Sequence, residues 1–209
     1  ASSRTKPPKR RGSRSASCGC RRFVWRRLFF HPVAAAPYAL AAAPDAVNDV
    51  DARGQGVLHL CCLTDTGLGR TIDPARCEIA RYAISRGCDV NRVEGLIRST
   101  PLHVALARSY QGSARNMISI LIDAGADVDQ ADNEGGTPTF IAALQGHTEA
   151  LRLLIQAKAD INNAKNHGGT PTYIAAHPGH TEALKALLPA PASSHNANNT
   201  GSTPTFIAA

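Results

Sequence analysis

The chain repeats itself at a fixed spacing. Thr-Pro-Thr-aromatic-Ile-Ala-Ala begins at Thr137, Thr170 and Thr203, 33 residues apart each time. Thr-Pro-Leu-His-Val-Ala at Thr100 is a looser copy, and Gly-Val-Leu-His-Leu at Gly56 is looser still. The segments that follow align too: Glu78–Asn91, Asn116–Asp129 and Glu149–Asn162 each run from an apolar stripe into a Gly- or Lys-containing stop and then Asp-Val or Asp-Ile. A unit of this length cannot bury an apolar face alone. It has to stack on its own copies, and about three or more copies are needed for a continuous core.

Local chemistry says what each unit is. Threonine before proline combines a side-chain N-cap with a residue already set for the first helical turn, and Thr100-Pro101, Thr137-Pro138, Thr170-Pro171 and Thr203-Pro204 all have it. Ala142-Ala143 and Ala175-Ala176 keep the first helix thin. Gly146 and Gly179 can end it in a left-handed conformation. Glu149 and Glu182 then fall in the first turn of a second helix, where the helix dipole favours an anion. Leu151, Leu154 and Ile155 form that helix's apolar stripe. Gly87 and Gly125 suit its end, and Asp127, Asp132 and Gly135 suit the extended turn leading to the next unit. With one Trp, four Tyr and five Phe, the core must rest on Ala, Leu and Ile, which favours helices.

Over about residues 45–209 this pattern resembles the ankyrin repeat, with period, Thr-Pro-Leu-His, Gly-His-Thr-Glu and Gly-Ala-Asp-Val-Asp in the family's order. The resemblance implies an all-α solenoid of stacked helix–turn–helix units with β-turn or hairpin tips, about four repeats plus partial terminal ones. The expected organisation is a disordered basic tail at 1–29, a degenerate capping half-repeat at 30–55, and repeats at 56–99, 100–136, 137–169 and 170–202. A half-repeat at 203–209 follows, expected to fray unless the chain continues. Departures mark weak points. The first repeat lacks Thr-Pro and has an insertion between its helices at about Asp65–Ala75. The second is 37 residues, with extra length near Ser109–Ser113. Lys158 and Pro191 stand where a helix-ending Gly is expected. Pro189 and Pro191 should stop the fourth repeat's second helix early.

Charge divides the chain. The net +7 comes from 23 basic and 16 acidic residues, but residues 1–44 hold ten Lys and Arg and no acid, leaving the remainder at −3. The repeat body is therefore not expected to bind nucleic acid by itself. The tail reads as a nuclear localisation cluster at Lys6–Arg11, an organellar transit peptide, a twin-arginine-like signal at Arg26-Arg27, or a solvated disordered segment. No stretch is apolar enough for a membrane helix. The expected location is intracellular, cytoplasmic or nuclear, with organellar targeting by the tail as an alternative.

No phosphate-binding Gly-rich loop, Gly-x-Ser-x-Gly or His-Glu-x-x-His occurs, so no catalytic residue, cofactor or metal is expected, and the chain does not read as an enzyme. Cys61-Cys62, with Cys77 and Cys88 expected to flank the second helix, lack paired zinc spacing and read as half-buried packing residues. Cys18 and Cys20 lie in the basic tail, where arginine would lower a thiol pKa. His59, His103, His147 and His180 read as structural. The segment Leu154–Asn162 resembles the pattern modified by asparaginyl hydroxylases, and the other reading is that Asn162 orders its turn.

The resemblance implies a protein–protein interaction scaffold, monomeric, that binds a protein through turn tips and first helices. The implied contact positions are Ala52, Arg53 and Gln55; Leu96, Ile97 and Ser99; Asn133, Glu134 and Gly136; and Asn166, His167 and Gly169. Leu144 with Gln145, and His177 with Pro178, would face the same groove from the first helices. The face runs from apolar and basic (Leu96, Ile97, Arg98, Arg108) to polar and acidic (Asn133, Glu134). The alternatives are a substrate-recruiting segment of a larger enzyme or regulatory protein, and nucleic-acid binding through the tail.

Overall fold

A computed structural model describes residues 47–63, 74–108, 114–176 and 179–188. Among these the secondary structure is helical, in four consecutive pairs. The pairs are α1 (Val57–Cys62) with α2 (Pro74–Ser85), α3 (Pro101–Arg108) with α4 (Arg115–Asp123), α5 (Pro138–Leu144) with α6 (Thr148–Gln156), and α7 (Pro171–Ala176) with α8 (Thr181–Leu187). First helices stack in the order α1, α3, α5, α7, and second helices in the order α2, α4, α6, α8. This is the all-α solenoid that the period requires. The expected tail, capping helix, Ser109–Ser113 loop and 189–209 segment lie outside the described residues.

Alanine brings the first helices together. Ala105, Ala142, Ala143 and Ala175 are wholly buried, so neighbouring helices meet with nothing bulky between them. Leucine and isoleucine from both layers fill the space behind: Leu102, Leu106, Met117, Ile118, Leu121, Leu151 and Leu154 are fully buried. Each such side chain contributes about 1.5–3 kcal/mol of hydrophobic burial.

The helix ends follow the expected chemistry. Thr137 and Thr170 accept the amides of Phe140 and Tyr173 through Oγ1, at 3.3 and 3.2 Å. Gly87, Gly125, Gly146 and Gly179 all take positive φ. The amide after each one returns to the carbonyl five residues back, from Cys88 to Ala83, Ala126 to Leu121, His147 to Ala142 and His180 to Ala175, the bond of a Schellman stop. Lys158 does the same work at φ 63, with Ala159 N–H donating to Leu154.

Two details differ from expectation. Helix α2 begins at Pro74 and contains Cys77, so Pro74 and Ala75 belong to the helix rather than to the insertion, and Cys77 does not flank it. Cys61 and Cys62 are completely buried rather than half-buried. Burial pushes the Cys61 thiol up to about 12 and raises that of Cys62, so these are inert packing groups.

Candidate functional site

The histidines of Thr-Pro-Leu-His and its Gly56 variant turn out to be joints. His59 Nδ1 accepts the Gly56 amide at 3.2 Å while Nε2 lies 3.0 Å from the Ser99 carbonyl. His103 repeats this, with Nδ1 at 3.2 Å from the Thr100 amide and Nε2 at 3.1 Å from the Gly136 carbonyl. A ring that accepts at Nδ1 must carry its proton on Nε2, which then donates to the carbonyl. Each imidazole therefore closes its own helix start and fastens it to the next repeat. Thr100 Oγ1 also pairs with His103 Nδ1, at 2.8 Å, so this cap is completed through the ring and not through a backbone amide. Burial holds both imidazoles below the ordinary value.

Beyond each joint the chain forms a tip. Four hydrogen bonds close these tips: Asp51 N to Gln55 O, Glu94 N to Ser99 O, Asp132 N to Gly136 O and Lys165 N to Gly169 O. In the first and third tips an aspartate organises the turn. Asp51 Oδ1 accepts the amides of Arg53 and Gln55, and Asp132 Oδ1 those of Glu134 and Gly136. The tips are also bonded to one another. Gly95 N donates to Arg53 O, Asn133 N to Ile97 O and Asn166 N to Glu134 O, at 3.0–3.1 Å. This ladder holds the tips in register along one edge of the array.

The expected contact residues divide on this frame. Arg53, Leu96, Ile97, Glu134 and His167 are exposed at tips, and Ala52 beside them is exposed too. Asn133 and Asn166 are exposed but their side chains reach back along the ladder, Asn133 Nδ2 to Leu96 O at 2.6 Å and Asn166 Nδ2 to Asn133 O at 3.3 Å. Gln55 is half-buried and donates to Glu94 at 2.6 Å. Ser99 is half-buried, its carbonyl taken by His59 and Glu94. Gly136 and Gly169 are buried, and the Gly136 carbonyl belongs to the His103 joint. Leu144 and Gln145 are exposed at the end of α5. His177 and Pro178 lie outside the described residues.

Sequence reading did not reveal that the second tip is built differently. It spans six residues, Glu94–Ser99, where the others span five. Gly54, Gly135 and Gly168 occupy the left-handed position of the other tips, but here Arg98 does, at φ 57. An L side chain there costs roughly 1 kcal/mol. This tip also carries the two most exposed large apolar side chains among the described residues, Leu96 at 83% and Ile97 at 53%. The signal was present in the spacing: Gly-Gly precedes Thr137 and Thr170, but Arg-Ser precedes Thr100.

Glu134 is paired with Lys165, whose hydrogen bond holds its carboxyl below the usual range. The Lys165 ammonium also lies 5.4 Å from the Phe140 ring centroid, and the His167 ring meets Phe140 edge-on. A recess of about 330 Å³ between α4 and the start of α6 includes Gln145. It is crossed by the Arg115–Glu149 pair at 3.9 Å. No group of three or more His, Cys, Asp or Glu that could hold a metal occurs among the described residues, nor does a helix long and apolar enough to cross a membrane. The family model for ankyrin repeats matches residues 73–165, in three copies. No curated protein matches the chain.

Proposed function

We propose, from the premise that this chain belongs to the ankyrin-repeat family, that it is a non-enzymatic scaffold that binds one protein partner along its tip edge. Ankyrin repeats are in general protein–protein interaction modules. The observation that carries the reading is the tip ladder, which fixes a row of exposed side chains on a rigid stack, the arrangement in which loops read a partner while the scaffold sets their spacing. Leu96 and Ile97 are the apolar anchor of that row. Exposed aliphatics side by side on a rigid turn mark an interaction surface, and a small number of such anchors carries most of an interface's energy.

The test compares proteins captured by the full chain and by its Leu96→Ser/Ile97→Ser variant. A specific partner should be held by the first and lost, by about tenfold or more in affinity, by the second, with unchanged circular dichroism. Equal retention by both would remove the tips from the site.

A further inference from the structure

The second tip also suggests what chemistry it meets. Arg53 and Arg98 are both exposed and stand on either side of Leu96 and Ile97 in the chain of tips: Arg53 is hydrogen-bonded through its carbonyl to Gly95, and Arg98 directly follows Ile97. The carboxylates around them are already engaged. Asp51 accepts backbone amides, Glu94 accepts from Gln55 and Glu134 is held by Lys165. The two guanidinium groups make no ion pair with a described residue. Arg98, moreover, is kept in a backbone conformation that the other three tips assign to glycine. Backbone strain of this kind collects at functional sites because something else requires the side chain.

We infer that the second tip binds a protein segment in which a large apolar side chain is flanked by Asp or Glu. The apolar group packs on Leu96 and Ile97, and the carboxylates pair with Arg53 and Arg98, whose planar forks suit bidentate carboxylate recognition. This rests on the scaffold reading and names the class of partner. The chain's own basic segment, ten Lys and Arg with no acid in residues 1–44, has the wrong sign to occupy the tip. A nucleic acid would supply anions, but this tip offers aliphatics where base stacking needs aromatic rings.

A random peptide display library selected on the full chain tests the inference. Enriched peptides should combine an apolar residue with neighbouring Asp or Glu. A synthetic peptide of the enriched sequence should lose about tenfold in affinity for Arg53→Gln/Arg98→Gln, and its binding to the unsubstituted chain should weaken with salt. Arg98→Gly separates recognition from structure, because it relieves the left-handed strain. It should unfold no earlier than the parent while binding the peptide more weakly. Peptides that need Leu96 and Ile97 but show no acidic preference would overturn the inference and leave the scaffold reading standing. So would an Arg98→Gly variant that binds undiminished, or a single-stranded oligonucleotide that displaces the peptide and binds Arg53→Gln/Arg98→Gln less well. Enriched peptides indifferent to Leu96→Ser/Ile97→Ser would remove both.

Discussion

At the scale of single residues, the later repeats trade core quality for something the helix start does not need. Where the second repeat has Leu102 behind its Thr-Pro, the third and fourth have Thr139 and Thr172. Both hydroxyls are buried without a hydrogen-bond partner. Leaving a polar group so costs about 1–3 kcal/mol. Thr139→Val keeps the shape and removes the hydroxyl, and should stabilise the protein by about 1 kcal/mol in urea unfolding; a loss of stability would mean that this hydroxyl is satisfied. Lys158 presents a second such position. It holds a left-handed φ at a helix stop where the equivalent residues are Gly87 and Gly125, so Lys158→Gly should also raise the free energy of urea unfolding, by about 1 kcal/mol. The opposite change at Gly146 should destabilise. Its φ is positive and a Cβ would stand 2.7 Å from His180 Nδ1.

At the scale of elements, the array has two kinds of joint. The first two repeats are fastened forward by His59 and His103, which bond to the carbonyls of Ser99 and Gly136. At the third, Phe140 fills the histidine position and contributes ring contacts with Lys165 and His167, while Tyr173 takes that position in the fourth. The histidine joints require a neutral ring, and burial lowers the pKa of both. Between the unfolded value near 6.5 and the lower folded one, the unfolded chain binds more protons, so stability rises with pH across that window. It should be fully present above about pH 6.5 and decline as the pH falls toward the folded pKa. Urea unfolding at a series of pH values should show this slope, and His59→Phe/His103→Phe should flatten it. An unchanged slope in that variant would assign the dependence to other groups.

At the scale of the whole molecule, stability is a sum over neighbours. Each repeat touches only those beside it, so no distant contact rescues a weak end. A second ladder, formed where each second helix gives way to the next turn, ties the stack together. Asn48 Oδ1 accepts Asp89 N–H while its Nδ2 donates to Gly87 O, and Asn91 does the same with Asp127 and Gly125. Asp129 accepts from Asp160, but a carboxylate has no donor for the second bond. The ladder loses that second bond in the third repeat, and α8, at seven residues, is the shortest of the described second helices. Amide exchange should be slowest in α3 to α6 and faster in α7 and α8. Slower exchange in α8 than in α4 would contradict a nearest-neighbour account.

The sequence by itself determined the period, the helix starts at Thr-Pro, the glycine stops and the alanine-faced first helices, because each of these is a local preference repeated at fixed spacing. It pointed to the tips as well, since resemblance carries positions. Local patterns do not say which exposed groups remain free. Gly136 closes the third tip, but its carbonyl is also held by His103 from the preceding repeat. Asn133 is exposed at its tip, but its side-chain amide is engaged by Leu96 O. Those bonds join residues about one repeat apart, so only the stacked structure could show them. The tertiary structure also set the second tip apart, by closing six residues where its neighbours close five and by holding Arg98 at a glycine's φ. Stacking the repeats decides which side chains are occupied in joining them, and so which are left to meet a partner.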